Sequence, residues 1–102
     1  MQLETTYRGM APAEAGAATH LIEKGSARFE RVVEEPATLR AVVEAGAALK
    51  VTLTLIMPHG ELTTTGEGHD LGAVVSEVCD KLKTRAVRHR HRREANRHRA
   101  MI

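Results

Sequence analysis

The sequence predicts an α+β fold, a two-layer β-α-β-β-β-α domain in which a four-stranded sheet carries two helices on one face. Three observations carry this. Four short segments alternate apolar and polar residues with period two, two longer segments repeat apolar residues at helical spacing, and Gly- or Pro-centred turns separate them. At 102 residues and 42% apolar content, the chain fits one compact domain, residues 1–102, with little room for a second. Aromatics make up only 2%, so the core must come from Val, Leu, Ile and Ala.

The first strand is read from residues 2–7, where Leu3, Thr5 and Tyr7 alternate with Gln2, Glu4 and Thr6 before Arg8, Gly9 and Met10 end the run. Pro12 suits the first turn of a helix. From there Ala18, Leu21, Ile22, Gly25, Phe29, Val32 and Val33 recur at helical spacing, so the first helix is expected to run until it stops before Pro36. Gly25 costs that helix up to about 1 kcal/mol relative to alanine, which makes it dependent on packing.

Leu39, Ala41 and Val43 alternate with Thr38, Arg40, Val42 and Glu44. Ala45 and Gly46 then turn the chain into Leu49, Val51, Leu53 and Leu55, so the two segments read as a hairpin. Pro58, His59 and Gly60 make a second tight turn into a Thr-rich strand at 61–66, with Leu62 and Thr64 facing inward. Leu71, Val74, Val75, Val78, Cys79 and Leu82 form the stripe of the second helix, and Asp70 is placed to cap it. One sheet face collects Leu and Val while the other collects Thr, Arg40, Glu44 and Lys50, so both helices should cover the apolar face. The first two strands straddle a helix, which favours a parallel pair with a right-handed crossover.

The formal charge of +2 hides an asymmetry. Residues 1–80 hold 6 Lys/Arg against 12 Asp/Glu, whereas residues 81–102 hold 9 Lys/Arg against the single acid Glu94. Such a basic end points to a polyanionic partner, because phosphate contacts release condensed counterions. An anionic membrane surface fits poorly, since this segment has almost no apolar face to insert. No stretch is long and apolar enough for a membrane span, and the opening MQLETTYRG is no export signal, so a cytoplasmic location is expected. Cys79 is the only cysteine, which excludes an internal disulfide and a thiolate zinc cluster.

The cations group on the helices. At about 100° per residue, His20, Lys24, Arg28 and Arg31 fall within an arc of about 80° beside the first apolar stripe. On the second helix Lys81, Arg85, Arg88, Arg92 and Arg99 fall within about 60° of one another. The two ridges would line one groove if the helices pack side by side. Beyond Leu82 little apolar material remains except Ala86 and Val87, so a basic helical extension, from about residue 85 to 102, should project bare from the domain. Phosphate binding would supply its missing stabilisation, and the excess of Arg over Lys favours bidentate contacts.

These residues resemble the ribosome hibernation promoting factors, also called ribosomal subunit interface proteins or ribosome-associated inhibitors. The marks are the opening Met1-Gln2-Leu3 strand, Arg28-Phe29-Glu30-Arg31 at the end of the first helix, Gly60-Glu61-Leu62 opening the fourth strand, and Asp80-Lys81-Leu82 followed by Arg85, Arg88, His89 and Arg90. The resemblance spans nearly the whole sequence and is to the short form, which ends without the second domain through which long forms dimerise. It implies a single ribosome-binding domain seated on the small ribosomal subunit, against ribosomal RNA, over the messenger channel and decoding region. The implied consequence is a steric block of messenger and transfer RNA binding, with a monomer expected and a dimer as the alternative. Carried over by position, the RNA-binding residues are Lys24, Arg28 and Arg31, then Lys81, Arg85, Arg88 and Arg90, with Arg92 added from the second ridge. Three positions depart from the family pattern: Gly25 stands where members often have Lys, Gly72 where they often have an aromatic, and Val32-Val33 where they often have aromatics.

Other chemistries are less well served. An RRM-type module needs exposed aromatics on its strands, and the chain offers only Tyr7 and Phe29. His91, Glu94 and His98 have helical spacing, but seven residues rise about 10.5 Å, so the two histidines do not share an ion. No metal and no cofactor is expected. Cys79 lies on the apolar stripe, His69-Asp70 stands where a cap is needed, and His59 sits in a turn without a partner, so no enzyme is expected. The competing reading is a general RNA-binding or RNA-chaperone module, or a protein-protein adaptor, that does not act on ribosomes.

Overall fold

In the computed structural model, residues 1–100 are described, with side chains through residue 96. The element order is β1 (Gln2–Arg8), α1 (Pro12–Ser26), a 3-10 turn (Glu30–Val32), β2 (Thr38–Ala45), β3 (Leu49–Met57), β4 (Gly60–Gly68) and α2 (Leu71–Ala100). The four strands lie in sheet order β1-β2-β3-β4. β1 pairs parallel with β2, and the β2–β3 and β3–β4 pairs are antiparallel. This is the predicted two-layer α+β arrangement.

Register follows from the alternation. Val43 faces Val51, Ala41 faces Leu53 and Leu39 faces Leu55 across the hairpin, so all six point to one face. Both helices lie on that face, and the core joins these residues to Ala18, Ile22, Phe29, Val74, Val75, Val78, Cys79 and Leu82. Thr64 points inward as expected, its hydroxyl donating to the Val78 carbonyl at 3.2 Å. Leu3 and Tyr7 are only half-buried and Thr5 is exposed, because edge strand β1 is partly covered by α1. The Tyr7 and Thr19 hydroxyls hydrogen-bond across that contact. Gly9 permits the exit from β1: its φ is +72°, and a Cβ there would collide with the Ala45 carbonyl oxygen.

α1 departs from the expectation. It ends at Ser26, ten residues before Pro36, and Arg28-Phe29-Glu30-Arg31 lies beyond it. The Ser26 hydroxyl donates to the Glu23 carbonyl at 2.9 Å, and the Arg28 and Phe29 amides bond back to Gly25 and Ser26. The turn lets Phe29 drop into the core at 1% exposure. The helical spacing of Phe29 and Val33 was therefore a correct signal of burial and an incorrect one of helix.

Candidate nucleic-acid interface

α2 begins at a cap, the Ala73 amide donating to Asp70 Oδ1 at 3.3 Å. Its inner stripe of Val74, Val75, Val78, Cys79, Leu82 and Ala86 is anchored in the core. Since that stripe is fixed, Lys81, Arg85, Arg88 and Arg92 must flank it on one side, and this is the side of edge strand β4. Lys81 Nζ donates to the Thr65 carbonyl at 3.2 Å, and Arg85 Nη1 donates to the Thr63 carbonyl. Both helix cations thus cap outward-facing carbonyls of β4. Lys81 also pairs with Glu77 at 3.0 Å.

Two depressions open along this side. Thr63, Thr64, Thr65, Lys81, Thr84, Arg85 and Arg88 line one of about 430 Å³. Leu62, Arg85, Arg88, His89 and Arg92 line the next, of about 160 Å³. Among the described residues, Arg88 and Arg92 enter no ion pair, and both are exposed. Arg99 lies outside the residues whose side chains are described, as does His98.

The first-helix cations are placed elsewhere. Lys24 and Arg28 line a depression of about 170 Å³ between α1 and α2, with Leu21, Gly25, Gly72, Val75 and Ser76. Arg28 Nη1 bonds Asp80 Oδ1 at 2.9 Å and the Ser76 hydroxyl at 3.1 Å, tying the chain after α1 to α2. Arg31 lines a separate depression of about 230 Å³ with Val32, Val33, Glu34, Arg90, Arg93 and Glu94. The two ridges therefore do not share a groove: α2 lies between them, carrying Asp80 and Thr84 on its outer surface. The first ridge is itself split, because the chain leaves the helical path after Ser26.

The extension is also not bare. Arg90 Nη1 donates to the Arg31 carbonyl at 3.5 Å and Arg90 Nε to Glu94 at 3.2 Å. Arg93 pairs with Glu34, its side chain only 23% exposed. Counting on from Val78, Leu82 and Ala86 at intervals of three or four reaches His89 and Arg93, so the inner stripe continues in polar residues. That spacing was present in the sequence, but its change from apolar to polar side chains concealed it. His89 Nε2 is buried and has no hydrogen-bond partner among the described residues.

Cys79 is fully buried, and burial pushes its thiol up to about 11, Arg28 pulling slightly the other way and Asp80 adding to the rise. Gly25 packs directly on it: a Cβ at Gly25 would meet Cys79 Sγ at 2.7 Å. The departure at Gly25 therefore accompanies a close helix–helix approach. Among the described residues, no group of three or more His, Cys, Asp or Glu is placed to hold a metal ion, and no helix is long and apolar enough to cross a membrane.

No family model and no curated protein matches the chain. Solved structures do. The Thermus thermophilus Protein Y N-terminal domain has 22% sequence identity and a TM-score of 0.70, over 86% of this chain and 98% of that one. A ribosomal subunit interface protein from Coxiella burnetii has 18% identity and a TM-score of 0.72, over 89% of this chain and 99% of that one. The second carries a name of the family that the sequence resembles, and the likeness extends over almost the full length of both. In fold, this chain is similar to the Thermus thermophilus Protein Y N-terminal domain and to the ribosomal subunit interface protein of Coxiella burnetii over most of its length.

Proposed function

We propose that the chain is a cytoplasmic, ribosome-associated factor that binds the small subunit through ribosomal RNA and inhibits translation by occupying the path of messenger and transfer RNA. The observation that carries this reading is the row Lys81, Arg85, Arg88 and Arg92 along one side of a well-anchored helix, with Arg88 and Arg92 lacking any ion-pair partner among the described residues. Unbalanced guanidinium groups at helical spacing suit successive backbone phosphates. Lys24, Arg28, Arg31 and Arg90 are assigned secondary contacts, since Arg28 and Arg90 would first have to share their existing partners. The likeness in fold to a protein named for the ribosomal subunit interface supports the same partner.

A steric plug has no chemistry to perform. Incubated with ribosomes, the protein should co-sediment with small subunits and lower messenger or transfer RNA binding while ribosomal RNA stays intact. Cleaved RNA, or a protein that stays at the top of the gradient, would refute this function.

A further inference from the structure

The cavity lined by Leu62, Arg85, Arg88, His89 and Arg92 differs from the other charged depressions. Where Arg31, Arg90 and Arg93 meet, Glu34 and Glu94 line the same space. Among the described residues, no carboxylate lines the cavity beside Leu62. Among the described residues, three guanidinium groups thus surround it without a counter-charge in its wall, and His89 contributes a ring whose buried Nε2 has no hydrogen-bond partner. Like charges gathered in this way repel one another, and an unpaired buried nitrogen adds a desolvation cost. A bound anion relieves both.

Size narrows the anion. At about 160 Å³ the cavity is well below the roughly 300 Å³ at which pockets begin to hold drug-sized ligands. It corresponds to about five water molecules at ~30 Å³ each. That suits a phosphate or two linked phosphates, and is too small to enclose a whole nucleotide. Planar guanidinium forks match phosphate oxygens in pairs, and three of them match a multiply charged group better than a singly charged phosphodiester.

We propose that this cavity is a discrete site for a pyrophosphate group, free or at the end of a nucleotide, and that its occupant competes with RNA for Arg88 and Arg92. The competition rests on the function proposed above, whereas the binding site itself does not. Arg85 stays in place through the Thr63 carbonyl and supplies its remaining N–H groups to the anion. Arg88 and Arg92 close over it, and the His89 ring offers Nε2 from within.

Calorimetric titration of the full chain with sodium pyrophosphate tests the site, with sulfate and ADP as comparison ligands. One saturable site is expected, tighter for pyrophosphate or ADP than for sulfate. The tighter of the first two identifies the source of the group. Arg88→Gln with Arg92→Gln should weaken pyrophosphate binding by about tenfold or more, and Arg40→Gln with Lys50→Gln, on the open sheet face, by no more than about twofold. His89→Phe keeps a ring in place without its nitrogens and should weaken binding without lowering thermal stability. Absence of saturation, equal affinity for sulfate, or equal losses from the two double variants would overturn the site. A chain that binds pyrophosphate through Arg88 and Arg92 but does not co-sediment with ribosomal particles would keep this site and refute the ribosome reading. The converse result would refute the site alone.

Discussion

Replacing Arg88 and Arg92 together by Gln tests the proposed interface most directly, because among the described residues these two cations of the α2 row are not already engaged. Lys81 and Arg85 reach the Thr65 and Thr63 carbonyls of β4, so each must share or release a backbone partner to meet a phosphate. Arg88 and Arg92 have no such obligation. The four span about 16 Å of helix axis, room for several successive phosphates. With a salt slope of roughly −0.7 to −0.9 per phosphate contacted, four contacts weaken affinity by about 50- to 150-fold between about 50 and 200 mM salt. Removing two should flatten the slope by about 1.4 to 1.8, leaving a salt effect of about 7- to 12-fold. Fluorescence anisotropy with a labelled ribosomal RNA fragment, or salt-dependent co-sedimentation, measures the slope. The fold should survive, since both side chains are exposed. Arg40→Gln with Lys50→Gln, on the open sheet face, should leave the slope unchanged. An unaltered slope in the helix variant, or an equal change in the sheet variant, would place the RNA surface on the wrong side of the domain.

Cys79→Ala should retain ribosome binding and cost on the order of 1 kcal/mol in denaturant unfolding, as loss of a small buried group does; loss of binding by a stable variant would give Cys79 a functional role. In the native protein Cys79 should resist aromatic disulfide reagents near pH 8, because with its thiol pushed up to about 11 only about one molecule in a thousand carries the thiolate. Unfolding should expose it to rapid reaction. Gly25→Ala should destabilise by about 1–3 kcal/mol through overpacking on Cys79 Sγ, and adding Cys79→Ala should recover part of that loss. Arg93→Ala should speed amide exchange in the turns around Arg90 with little effect near Val78, because only the outer turns depend on Glu34.

The fold was legible because its signals were redundant. Alternation in residues 38–45 and 49–57, a turn at Pro58-His59-Gly60 and an apolar stripe from Leu71 to Leu82 all agree on one buried face. The end of α1 was not legible, because Phe29 and Val33 keep helical spacing while the chain turns after Ser26; periodicity reports which residues are buried and not the backbone path between them. The composition of the α2 ridge was readable from angle alone. Its relation to the first ridge was not, since that depends on which side of α2 faces α1 and which faces β4. Asp80 shows the difference: in sequence it is one acid before a basic run, and in the fold it is the partner that holds Arg28.

Under the proposed function, the polar continuation of the inner stripe changes how α2 would act as a binding element. A bare cationic helix would have to be ordered by its ligand, and that ordering cost would be subtracted from affinity. Here Leu82 and Ala86 are buried, and Arg90 and Arg93 fasten the following turns to Arg31 and Glu34. The helix is therefore held on its inner side across the same turns that present Arg85, Arg88 and Arg92 on the other. The spacing of those cations is set by the fold before any phosphate arrives, and Glu34 helps to set it although it carries the charge opposite to that of the surface it supports. An acid that would be scored as unfavourable for RNA binding from its charge alone is, from its position, one of the groups that keep the cationic row straight.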